Sequence, residues 1–195
     1  MISIETGAGG RVYQIWKQQQ AATCGVACAW MARGIAKRMS FAEEEWELAH
    51  RIYNGAVAGA LTLQRSSPPA PMTIDPRGQT NDQNSFGNTF SRFGLFANQL
   101  AGALSSQGLR VEHYNNGGNP IKVIHNKIAI DKPGIALLKW ASGGGHFVVI
   151  GRAVATNVSF LDPWDGHVNE QPNNGTYAAN YGGIGNLIEI LYLSA

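Results

Sequence analysis

Gln18-Gln19-Gln20-Ala21-Ala22-Thr23-Cys24-Gly25-Val26-Ala27-Cys28 is the stretch on which the fold turns. It sets a cysteine six residues after a glutamine, where a helical pattern begins. From Cys24 to Lys37 the apolar positions Val26, Ala27, Trp30, Met31 and Ile35 follow a helical stripe. Arg33, Lys37 and Arg38 complement the negative end of the helix dipole. Almost no polar residue interrupts the first three turns, so the helix is expected to be central and buried. A cysteine at its N-terminus feels the positive end of the dipole, which favours the reactive thiolate. Cys28 lies one turn further along the same face. Two cysteines four apart on one helix have nearly parallel side-chain vectors and bridge poorly. Cys28 therefore reads as a small buried hydrophobe, and the cysteine content suits a reducing compartment.

Two distant stretches supply partners for Cys24. Gly143-Gly144-Gly145-His146-Phe147-Val148-Val149-Ile150 puts a histidine at the mouth of an apolar strand, after glycines that allow a sharp turn. Leu161-Asp162-Pro163-Trp164-Asp165-Gly166 follows with a carboxylate. Cysteine, histidine and carboxylate in this order are the parts of an activated thiol nucleophile. Cys24 would attack a carbonyl, and His146 would move the proton. Asp162 would hold the imidazole in the right tautomer. Gln18 has the best spacing to direct an amide N–H at a developing oxyanion, beside the backbone N–H of Cys24. Gln19 and Gln20 stay open for that role. Gly25 would let a substrate approach the backbone closely. Trp140 and Trp164 would pack in the core, shield the His–Asp bond or flank a cleft. Asp162, Asp165 and His167 share a turn without zinc spacing; no metal and no cofactor are expected, and Asp165 and His167 read as a solvated turn. His50, His113 and His125 carry no assigned role.

The 195 residues suffice for one well-buried domain, and 44% of them are hydrophobic. Net charge is +2 with 14% charged residues, which speaks against a nucleic-acid face. No apolar run reaches the length of about 20 residues that spans a bilayer. Met1 to Gly10 has no apolar core of a secretory signal. Residues 1–22 read as extended or irregular, with Val12, Ile15 and Trp16 forming a short strand or edge contact. Ser40-Phe41-Ala42-Glu43 has capping-box spacing and opens a helix over about 41–54, acidic first and basic last. Residues 64–88, rich in Pro, Ser, Asn, Asp and Gly, read as a long loop bordering the cleft. A helix follows over about 89–106, then a strand near Gly108–Tyr114. Pro120 opens a short helix through Ile130. Strands are expected at Gly134–Trp140, His146–Val154, Val158–Leu161 and Leu187–Leu193, as an antiparallel meander, with a loop at 169–186. Helices first and strands later make the chain α+β.

Gln18-x5-Cys24-Gly25-x-Ala27-Cys28, with Gly145-His146-Phe147-Val148-Val149 and Leu161-Asp162-Pro163, resembles the papain-like cysteine peptidases of bacteria. Two branches are similar: the bacteriocin-processing peptidases that cut after a double glycine, and the secreted effector proteases of plant-pathogenic bacteria. The resemblance covers about residues 12–38 and 134–166. It implies one papain-like domain over 1–195, with a helical half (about 1–107) carrying Cys24 and a sheet half (about 108–195) carrying His146 and Asp162. It implies peptide-bond hydrolysis through an acyl-enzyme, with Cys24, His146 and Asp162 catalytic and Gln18 at the oxyanion site. The long separation of Cys24 from His146 and the lack of transporter helices favour a stand-alone protease or effector toxin. It would be a monomer acting on a protein or peptide, including one of a host or target cell. It would be made in the bacterial cytoplasm and exported by a specialised secretion system. A papain-like deamidase, transglutaminase or cell-wall peptide hydrolase would use the same triad, and a non-catalytic binding module could keep the same fold.

Overall fold

The computed structural model describes residues 1–52, 95–124 and 127–195. The expected loop at 64–88 and the first part of the expected helix at 89–106 lie outside the described residues. Two strands, β1 (Ile2–Thr6) and β2 (Val12–Trp16), form an antiparallel hairpin. Helix α1 (Cys24–Lys37) follows, then a helical stretch α2 over residues 45–52 and α3 (Ala97–Ser106). The remaining strands are β3 (Arg110–Asn115), β4 (Gly134–Trp140), β5 (Gly145–Ala153), β6 (Asn157–Asp162), β7 (His167–Pro172), β8 (Thr176–Ala178) and β9 (Ile184–Ser194). The protein is α+β, with few helices and a large antiparallel sheet. Among the described residues, no helix is long and apolar enough to cross a membrane.

The sheet runs β3-β9-β4-β5-β6-β7, with β8 paired to β9 outside that path. β4 to β7 form the expected meander, but β9 returns to insert between β3 and β4. Its side chains alternate with period two, as a sheet covered on both faces requires. Ile135, Phe147, Val149, Leu161, Leu191 and Leu193 face a core shared with α1, α2 and α3. Ala136, Leu138, Val148, Ile150, Phe160 and Ile190 face a second core, with Ile121, Ile124, Ile128 and Tyr177. Trp30 of α1 meets Trp16 of β2 edge-on, with ring centroids 4.8 Å apart.

Several expectations need correction. The expected short strand around Val12–Trp16 is present as β2, but it pairs with β1, whose side chains bond the β7 end of the sheet: Glu5 Oε2 accepts the Val168 N–H (2.7 Å), and Ser3 Oγ donates to the Gly166 carbonyl (2.9 Å). Ser40 does not cap a helix. Its hydroxyl donates to Gln14 Oε1 (2.9 Å), while Glu43 pairs with Arg33 and Arg51. The helix starts at 45 instead, and Glu47 reaches back to the Glu44 N–H (2.9 Å). Residues 120–124 and 127–130 are not helical. The Ile121 N–H donates to the Leu187 carbonyl (2.7 Å) and the Ile124 N–H to Asn173 Oδ1 (2.9 Å), so donors that a helix would use are taken by the sheet and its loops. The expected loop at 169–186 contains most of β7, all of β8 and the start of β9.

Candidate active site

β5 and β6 are antiparallel neighbours, so the first residues of β5 and the last of β6 lie at one end of the sheet. His146 is near the start of β5 and Asp162 closes β6. The turn that feeds β5 needs left-handed backbone at Gly143 (φ 92°) and Gly144 (φ 83°), which glycine adopts without a Cβ penalty. Helix α1 packs against β5. A Cβ on Gly25 would come 3.3 Å from Phe147 and 3.4 Å from Leu95. The bare glycine thus lets the start of α1 approach the strand residue next to His146.

His146 Nε2 lies 2.8 Å from Asp162 Oδ1. The other ring nitrogen is left for Cys24, which is near enough for its charge to act on the imidazole. Cys24 is half-buried, and Cys28 is buried one turn deeper. Burial alone would lower the His146 pKa. The hydrogen bond to Asp162, the nearby Cys24 and the charges of both outweigh it and raise the pKa to about 9. Burial likewise pushes the Asp162 carboxyl up, but the His146 contact and further donors bring it below its ordinary range. Burial pushes the Cys28 thiol well up, in keeping with a packing role. The structure therefore brings Cys24, His146 and Asp162 together.

The first turn of α1 is largely buried. Thr23, its N-cap, is fully buried and makes no side-chain cap bond among the described residues. Its hydroxyl instead donates to the Gln20 carbonyl (2.9 Å) and accepts the Gln20 N–H (3.2 Å). The helix start beside Cys24 therefore has no side-chain cap. Gln18 donates its backbone N–H to the Pro163 carbonyl at 2.8 Å. Its side-chain amide donates to the carbonyls of Gln20 (2.7 Å) and Ala21 (3.3 Å). Gln19 is held through its backbone, its N–H donating to both oxygens of Glu45 (3.1 and 3.0 Å). Glu45 is fully buried, and burial raises its carboxyl pKa.

Three aromatic residues enclose the His–Asp pair. Trp140 stacks on His146 with centroids 5.8 Å apart and planes 20° apart, in the shielding position. Tyr181 meets Trp140 edge-on at 6.4 Å and Trp164 at 5.9 Å. Trp164 is 45% exposed, so it sits at the rim, and its backbone N–H donates to Asp162 Oδ1 (2.8 Å).

Sequence reasoning missed Tyr177 and Tyr181, whose hydroxyls both donate to Asp162 Oδ2, at 2.6 and 3.1 Å. Asp165 is more than a solvated turn residue, since its Oδ2 accepts the Asn180 amide (3.1 Å). His167 is exposed, with Nδ1 2.5 Å from Glu5. His113 pairs with Glu189 at 2.6 Å, away from Cys24 in the chain's β3–β9 ladder. Among the described residues no group of three or more His, Cys, Asp or Glu side chains is placed to hold a metal ion.

No protein-family model and no curated protein match the chain. Among solved structures it is similar to the crystal structure of the Pseudomonas avirulence protein AvrPphB, a distant likeness at 9% identity and TM-score 0.36, covering 89% of this chain and 91% of that chain.

Proposed function

We propose that this protein is a papain-like cysteine peptidase that hydrolyses peptide bonds of a protein substrate through Cys24, His146 and Asp162. The observation that carries the reading is the buried His146–Asp162 hydrogen bond set beside the half-buried Cys24, at a helix start without a side-chain cap. An imidazole with a pKa near 9 carries its proton at neutral pH and can pass it to a leaving group.

The thiolate sulfur attacks the scissile carbonyl, and the carbonyl electron pair moves onto oxygen. The N–H groups at the start of α1, beginning with that of Cys24, receive the oxyanion. Gln18 joins them when a bound acyl oxygen replaces the Ala21 carbonyl, the longer of its two contacts. His146 then gives its proton to the leaving amine, and the C–N bond breaks to leave a Cys24 thioester. Neutral His146 takes a proton from water, whose oxygen attacks the thioester. The carboxylic acid leaves and the Cys24–His146 pair is restored. Action as a bacterial effector on a protein of a target cell belongs to the same reading, through the motifs around Cys24 and His146.

The test is incubation of wild-type protein and Cys24→Ala with a denatured proteome, followed by chemical labelling of new N-termini. Wild type should generate them and Cys24→Ala should not. Modified glutamines without new N-termini would replace this reading with a deamidase or transglutaminase. Neither product from a folded wild type would refute it.

A further inference from the structure

The geometry points to Tyr177, with Tyr181, as a positioning residue that clamps one oxygen of Asp162 so that the other faces His146. This rests on the proposed Cys24–His146–Asp162 assembly and adds residues to it. Asp162 has two oxygens with distinct partners. Oδ1 takes His146 and the Trp164 N–H, both at 2.8 Å. Oδ2 takes only the hydroxyls of Tyr177 and Tyr181 among the described residues. A carboxylate held on one side alone could turn about its Cα–Cβ and Cβ–Cγ bonds and lose the imidazole. Donors on Oδ2 fix that rotation.

The direction of each bond can be traced outward from Asp162. The Tyr177 oxygen accepts the Asn169 amide N–H at 2.8 Å, which leaves the phenolic hydrogen for Asp162. Asn169 is itself oriented, because its Oδ1 accepts the Asn180 amide. Asn180 in turn donates to Asp165 Oδ2 (3.1 Å). Every link therefore sends a hydrogen toward Asp162 or fixes a group that does. The Tyr177 contact, at 2.6 Å, falls in the range of O–H···O⁻ bonds to an ionised acceptor. Tyr177 is fully buried, so water cannot substitute for it, and its ring packs edge-on against Phe160 at 5.1 Å. Tyr181 is 43% exposed and its bond is longer, so it is the weaker arm.

The experiment follows Cys24 alkylation by iodoacetamide against pH in wild type, Tyr177→Phe, Tyr181→Phe and His146→Ala, with Cys24→Ala as the blank for Cys28. Tyr177→Phe should lower the neutral-pH rate about tenfold or more, the scale of one lost hydrogen bond to a charged group. Loss of the Tyr177 donor also makes the Asp162 carboxyl easier to protonate, so the acid limb of the profile should move to higher pH. Tyr181→Phe should show the same change, smaller. A purely structural tyrosine would lower the melting temperature without moving the limb. The His146 ring N–H proton, read by NMR in Cys24→Ala, tests the clamp without the thiol. Its downfield, hydrogen-bonded resonance should be present, and Tyr177→Phe should shift or abolish it. A folded Tyr177→Phe with the wild-type profile and resonance overturns the inference. If Tyr177→Phe fails to fold, an unchanged profile and resonance in Tyr181→Phe overturns it. A wild type no more reactive than His146→Ala, with a resonance that still responds to Tyr177→Phe, would sink the peptidase reading and leave the clamp standing.

Discussion

His146 should make folding stability fall as pH rises from about 6 to about 9. Its pKa is near 6.5 in an unfolded chain and about 9 here, held up by Asp162 and Cys24 against the opposing effect of burial. The folded state therefore binds the proton more tightly than the unfolded one. The resulting stabilisation is fully present below about pH 6.5 and is lost as pH rises toward the folded value. A rise from 6.5 to about 9 corresponds to about 3 kcal/mol, a sizeable part of a domain's stability. The assay is urea unfolding followed by tryptophan fluorescence, at half-unit steps of pH, for wild type and His146→Gln under reducing conditions. The quantity of interest is the difference between the two proteins, because other titrating groups largely cancel in it. Cys28 is one such group: its raised pKa makes the folded state lose stability only as the unfolded thiol ionises, above about pH 8.5. The wild-type advantage should shrink by more than 1 kcal/mol per pH unit midway through the window. A difference that stays flat from pH 6 to 9 would show that folding does not tighten proton binding at His146 over that range, and the prediction would be refuted.

Glu45→Ala should cost about 1–3 kcal/mol, because the part-buried Gln19 N–H loses its charged acceptor. It should also slow Cys24 alkylation by freeing the 18–23 loop, whereas Glu45→Gln keeps an acceptor and should retain most of both, as thermal melts and alkylation rates would show. Arg33 is buried, pairs with Glu43, donates to Gln107 Oε1 at 2.8 Å and lies over the Phe41 ring at 3.8 Å. Arg33→Ala should cost about 3 kcal/mol in urea unfolding, through the carboxylate it leaves short of a partner, and Arg33→Met with Glu43→Gln should recover part of that loss.

The parts of the site that sequence made legible are those whose chemistry is tied to one element. Cys24 reads out because a helical stripe begins at that residue, and His146 because an apolar strand follows a glycine turn. Strand β4 has its expected bounds, Gly134–Trp140, because it is apolar on both faces. Tyr177 and Tyr181 stayed hidden because they sit in a stretch dense in Asn and Gly. That stretch reads as loop only while asparagine is taken as a turn residue. Here Asn169 is buried on β7 and its amide serves Tyr177, so a polar residue occupies a position that strand patterning reserves for an apolar one. Ser40 and Glu43 have capping-box spacing, yet two arginines from other places in the chain take the glutamate. Local spacing cannot register such partners. Ile121, Ile124 and Ile128 have near-helical spacing for a different reason. They cover one face of the sheet from an irregular segment, and their periodicity records burial without helical hydrogen bonding.

The place of β9 has a consequence for how the chain is made. It lies between β3 and β4 and also pairs with β8, yet it follows all of them in sequence. A ribosome therefore delivers β3 about seventy residues before the strand that will hold it. Until residues 184–194 emerge, β3 and β4 have no common neighbour, and the apolar side chains that β9 contributes to both cores are missing. Such long-range closure is slow. Cys24, made before all of these strands, thus reaches its finished surroundings only once β9 has closed the sheet.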